Sequence, residues 1–209
     1  MNIIAYMAWL PLAFYSIIFP AAVYFYLRRK PFWRLIIATI LFYFGFAAFK
    51  TWLQFQLWSR TELGKILLSS PLDQSTPSIF SKLGFLTESS GGYFFYYALS
   101  RFWFSLVATV FVAALFYAFL KLLEKYQPRF FERHDPELGL LLGLLVGWPY
   151  FLLFLPLGFF LTVVLSFVML VFFRKNRVTL GWPLLLGAAL SLSFGNYLNK
   201  IIPIGLLKI

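Results

Sequence analysis

Seven acids and one histidine are the groups with which this 209-residue chain could move protons: Glu62, Asp73, Glu88, Glu124, Glu132, Asp135, Glu137 and His134. Cysteine is absent, which removes disulfides, thiolate nucleophiles and cysteine-ligated metals. A single histidine leaves metal clusters and Ser/His/Asp triads short of members, so no metal or cofactor is expected. Two aspartates invite paired-carboxylate chemistry, in which a shared proton activates water. Asp73 and Asp135 are not expected to pair, because they fall on opposite sides of about 30 Å of hydrocarbon. Asp135 precedes Pro136, Glu137 and the apolar stretch from Leu138 to Gly147. An acid, a proline and a second acid at that point mark a helix start, with Asp135 expected at the N-cap. His134 is expected to be an interfacial side chain.

Three further features could position or bind. Gly139, Gly143 and Gly147 recur every four residues, a small-residue face that lets another backbone approach closely. Lys50 and Arg101 lie inside apolar runs, each eight residues, or about 12 Å, from the outer end. Intramembrane cations face a bundle interior or snorkel to headgroups. Gln54, Gln56, Ser100 and Ser105 would suit the first outcome, a polar pocket around Lys50 and Arg101.

The elements that hold these residues follow from composition. The chain is 62% apolar, 22% aromatic and 12% charged, with a mean hydropathy of +0.84. A soluble domain carries about twice that charge, so the expected fold is an all-α integral membrane protein, one polytopic domain over 1–209. The net charge of +11 sits in short clusters between apolar runs, as cytoplasmic loops do, and not on a stripe for nucleic acid. Apolar runs at 3–27, 32–58, 93–123, 138–147, 150–173 and 183–202 predict about six transmembrane helices, the fourth short. That fourth helix either spans half the membrane or extends upstream into 124–137. Residues 59–92 are polar and predict an external loop with one surface-lying helix. Eleven of the 18 cations fall on one side if the N-terminus is outside, which puts both termini outside by the positive-inside rule.

The stretch from Asp135 to Pro149, Asp-Pro-Glu-Leu-Gly-Leu-Leu-Leu-Gly-Leu-Leu-Val-Gly-Trp-Pro, resembles the segment after the second catalytic aspartate of bacterial prepilin peptidases. These are membrane aspartic proteases of the GxGD type. Leu180, Gly181 and Gly187 are similar to the element that opens the family's last helix, and the order of helices matches as well. The resemblance implies a prepilin-peptidase-like bundle, a prokaryotic plasma-membrane location, and cleavage of leader peptides from pilin-like precursors at the cytoplasmic face. Asp135 would be one catalytic carboxylate. At the position of the first aspartate, seven residues before Pro31, stands Tyr24, and the two motif glycines correspond to Glu132 and His134. A phenol, with an ordinary pKa of about 10, does not share a proton with a carboxylate near neutrality.

The sequence therefore leaves three readings open. One is an aspartic-type endopeptidase, degenerate because its aspartate pair is incomplete. The alternative is a non-enzymatic membrane protein that binds a partner transmembrane helix or lipid. The third is a lipid-modifying transferase, on a resemblance of Phe194-Gly195-Asn196-Tyr197 to a Gly-Asn-Phe element of lipoprotein diacylglyceryl transferases.

Overall fold

The described residues of this computed structural model are 3–71, 91–173 and 179–201; the great majority of these are helical and none lies in a strand. The helices are α1 (Ile3–Leu27), α2 (Trp33–Ser59), α3 (Glu62–Ser69), α4 (Gly92–Ala98), α5 (Phe104–Tyr126), α6 (Asp135–Val146), α7 (Phe151–Phe173) and α8 (Gly181–Ile201). A π-helical turn, Leu99–Trp103, joins α4 to α5 without a break, and a 3-10 turn, Pro128–Phe130, follows α5. Among the described residues four stretches are long and apolar enough to cross a membrane: Trp9–Leu27, Trp33–Ser59, Gly92–Tyr126 and Phe151–Phe172. Gly181–Gly195 is a shorter apolar helix. Asp73 and the apolar piece at 83–86 lie outside the described residues.

The chain forms two compact units, one of Met1–Leu41 with Thr109–Lys208 and the other centred on Phe42–Ala108. In the first unit α6 is the core. Ten of its 12 residues are buried, among them Leu138, Leu141, Leu142, Leu144 and Leu145. A helix apolar on every side has no solvent face and suits only a central position. Twelve residues rise about 18 Å, short of the hydrocarbon thickness. The helix does not extend upstream, because a turn closed by the Asp135 N–H on the Glu132 carbonyl (3.1 Å) precedes it.

Lipid tails are as apolar as leucine, so close van der Waals packing must hold such a helix in place. The glycine face supplies it. A Cβ on Gly143 would lie 3.3 Å from both the Ala113 Cβ and the Phe151 ring, and one on Gly139 would collide with Leu120. The facing side of α5 is its buried series Thr109, Ala113, Phe116 and Leu120, spaced four, three and four. Gly147 ends α6 at φ 66°, a left-handed conformation that favours glycine, and the next N–H, on Trp148, donates to Thr109 Oγ1 at 2.9 Å. Phe116, Phe151 and Phe154 meet edge to face beside this contact. Helix α8 packs along α7 and against α6.

In the second unit aromatic rings join α2 to α4 and the π-turn. Trp58 stacks on Tyr93 and meets Phe94 and Tyr97. Trp103 packs on Phe44 and donates its indole N–H to Thr51 Oγ1 at 3.1 Å. Helix α3 lies in the expected loop, and Thr61 caps it by accepting the Gly64 N–H.

Candidate functional site

The site lies in the first unit, where the end of α1 meets the start of α6. Helix α1 ends in a Schellman motif: the Arg29 N–H donates to the Tyr26 carbonyl and the Lys30 N–H to the Phe25 carbonyl, at 3.0 and 2.9 Å. Arg29 occupies the residue after the cap with φ 51°, the position where glycine is usual. Pro31 then turns the chain into Phe32, which is buried and donates its N–H to Glu137 Oε2 at 3.1 Å. That bond ties the α1–α2 junction to the first turn of α6, where a negative charge also complements the helix dipole. The Leu180 N–H donates to the Phe130 carbonyl and brings the start of α8 to the same place.

Asp135 sits at this junction with no exposed surface. Its Oδ2 accepts the Glu132 N–H at 2.8 Å, while Oδ1 is buried with no hydrogen-bond partner. It lies outside the four candidate spans. Burial pushes its pKa from 3.8 up to about 7. The charges of Glu132 and Glu124 add to the rise, and the N–H groups of Glu132 and Gly181 oppose it.

The expected cap at Asp135 is corrected. His134 holds the cap position without a side-chain cap bond, and Asp135 is the first helical residue. Pro136 has no N–H, and the Leu138 N–H is taken by the His134 carbonyl at 2.9 Å. With few donors ahead, the carboxylate turns back to Glu132. His134 Nδ1 stands 3.3 Å from Glu137 Oε2 without a well-formed hydrogen bond.

A cavity of 340 Å³ opens at Asp135. Tyr26, Arg29 and Phe32 form the wall from the α1–α2 junction, and Glu132, Arg133 and His134 complete it. Tyr26 is buried, shares a 3.3 Å hydrogen bond with Thr179 Oγ1 and packs edge to face on Trp182. Its ring fills the space a side chain at Gly181 would need.

Tyr24, the residue expected at the missing first aspartate, is not on this wall. It is 49% exposed, with Arg28 and Lys30 over its ring. Two residues turn a helix by about 200°, so Tyr24 and Tyr26 face opposite ways. Ile18, Ala22 and Tyr26, spaced four apart, form a buried stripe, but α1 is apolar on nearly every face and the spacing alone does not single Tyr26 out.

The described cations of the second unit do not form an ion pair with any described acid. Lys50 is half-buried with its Nζ 4.2 Å from the Phe46 ring centroid, and Arg101 is exposed on the π-turn. Glu62 is exposed at the start of α3, and Glu88, like Asp73, lies outside the described residues.

No protein family, curated protein or solved structure matches this chain. Its function must therefore rest on the chemistry of the cavity. A buried carboxyl that titrates near neutrality can hold or release a proton at working pH. Activating water as aspartic proteases do takes a second carboxylate. Asp135 is the only aspartate among the described residues, and the other carboxylate on the cavity wall is Glu132. Across from them α1 contributes a phenol.

Proposed function

We propose that this chain is an integral membrane protein of the prepilin-peptidase fold type whose catalytic pair has decayed to Asp135. In this reading six helices cross a prokaryotic plasma membrane, with the short α6, which rises only about 18 Å, counted as one of the crossings; both termini are outside, and the cavity faces the cytoplasm. The cavity binds a membrane ligand, either lipid or a partner helix, and does not cut it. The observation that carries the reading is the pairing across the cavity: the first helix, which in that family delivers a carboxylate, here delivers Tyr26 to the buried Asp135. The clustering of cations supports the orientation.

Purified protein in liposomes with a pilin-like precursor tests this directly. Mass spectrometry should find no processed precursor with the wild type or with Asp135→Asn. Cleavage by the wild type that is lost in Asp135→Asn would overturn the reading. It would install a second one, favoured by Glu132 on the same wall: a residual endopeptidase using Asp135 and Glu132. In that case Glu132→Gln would also abolish cleavage.

A further inference from the structure

The end of α1 carries an arginine where the backbone calls for glycine. At φ 51° a side chain crowds the following peptide, and residues in such conformations persist where the surroundings enforce them and the side chain has work to do. Arg29 lines the cavity, and so does Arg133. Neither forms an ion pair among the described residues. Glu137, an acid of the adjoining turn, is engaged by the Phe32 N–H.

Behind the same wall stands the Asp135 carboxylate, fully buried, with the Glu132 N–H on Oδ2, the Gly181 N–H acting on the group, and no well-formed hydrogen bond to Oδ1, which keeps acceptor capacity. The cavity, at 340 Å³, is within the range of small-ligand sites, about 300–1,000 Å³, and far larger than one water. Glu132 on the same wall disfavours a doubly charged anion and suits a monoanion that carries a donor. Beside Arg29 and Phe32, at the end of one candidate span and the start of the next, Leu27 and Trp33 are exposed and offer an apolar surface. Basic and aromatic residues at that level are the usual contacts of lipid headgroups.

We infer that the cavity is a phospholipid headgroup site, in which Arg29 and Arg133 hold the phosphodiester and the carboxylate wall of Glu132 and Asp135 accepts a hydrogen bond from an ethanolammonium or glycerol hydroxyl. The inference rests on the binding reading above and names its ligand. No covalent step is involved.

The test is native mass spectrometry of the full chain, delipidated and titrated with phosphatidylethanolamine, phosphatidylglycerol or phosphatidylcholine of equal chain length. The first two should bind as discrete adducts and phosphatidylcholine, whose headgroup has no N–H or O–H, about tenfold more weakly. Arg29→Gly and Arg133→Gln should each weaken binding about tenfold. Arg29→Gly should also melt at or above the wild-type temperature, since glycine suits the turn, so its loss of binding cannot be ascribed to misfolding. Equal binding of all three lipids, or wild-type affinity in Arg29→Gly, would overturn the headgroup site. So would a bound pilin-like peptide that the lipids do not displace. The cleavage assay separates the two failures. Asp135-dependent cleavage with lipid discrimination intact refutes the functional reading alone, and no cleavage with no discrimination refutes the headgroup site alone.

Discussion

Replacing Asp135 with asparagine removes one titration from a folded-state environment that resists ionisation, and its effect should depend on pH in a calculable way. The carboxyl moves from 3.8 to about 7 on folding. Three units at about 1.36 kcal/mol each correspond to about 4 kcal/mol. The shift is upward for an acid, so the folded state holds the proton more tightly than the unfolded chain. This contribution is fully present below pH 3.8, is lost as pH rises to about 7, and stays lost above it. Asparagine keeps an acceptor for the Glu132 N–H and never ionises. Its stability relative to wild type should therefore climb by up to about 4 kcal/mol between pH 4 and pH 8. Unfolding of both proteins in the same detergent across that range measures it, and groups that titrate alike in both cancel in the difference. Asp135→Ala also loses the acceptor and should sit about 1–3 kcal/mol below asparagine at every pH. Parallel wild-type and asparagine curves would refute the reasoning, because they would mean that Asp135 is solvated when charged.

Gly143→Leu should destabilise by about 1–3 kcal/mol or more, because the new side chain meets Ala113 and Phe151. The control Gly45→Leu, where nothing lies within 4 Å, should change melting little. For topology, the absence of native cysteine makes labelling clean. Lys30→Cys and Asn176→Cys should react only from the cytoplasm and Ser75→Cys only from outside; positions 75 and 176 reacting from the same side would refute six crossings. Lys50→Met should cost about 0.5–1 kcal/mol through loss of the contact with Phe46, read by melting in detergent. A cost of several kcal/mol would instead reveal a buried acidic partner.

The sequence located the helices more reliably than the side chains between them. The run at 3–27 has the bounds of α1, and the run at 32–58 is displaced from α2 by one residue. Apolar stretches bounded by charges and prolines leave little room for other ends. Asp135, Pro136 and Glu137 likewise marked the start of α6, but a local pattern could not tell which N–H the carboxylate would take. That depended on the Glu132 turn and on the donors that Pro136 and Leu138 do not offer. Tyr24 was named by counting back seven residues from Pro31, and that count says nothing of which way the helix faces; two residues along, Tyr26 lies on the opposite face, on the cavity wall. Arg29 gave no signal at all, because arginine conceals a turn that glycine would have announced.

Burial of α6 among leucines does not by itself explain why the cavity has a fixed shape. In a bilayer a leucine gains little by leaving lipid for protein, so the depth and rotation of α6 are set by contact at its glycines. Gly139 and Gly143 seat the helix on Leu120, Phe116 and Ala113, and its C-terminal end is fastened where the Trp148 N–H meets Thr109. Its first turn is then held from two directions, by Phe32 on Glu137 and by the Glu132 turn on Asp135. Asp135 is thus carried on a short, rigid strut whose lower part has no functional groups. The buried carboxyl beside the cavity and the small residues about 6 and 12 Å along the helix from it form one device. Enlarging a glycine would rotate or lift α6, and Asp135 would have to leave Glu132 or drag the turn with it. The glycine face, silent on chemistry when read alone, is what determines where the only buried carboxyl of the described chain can stand.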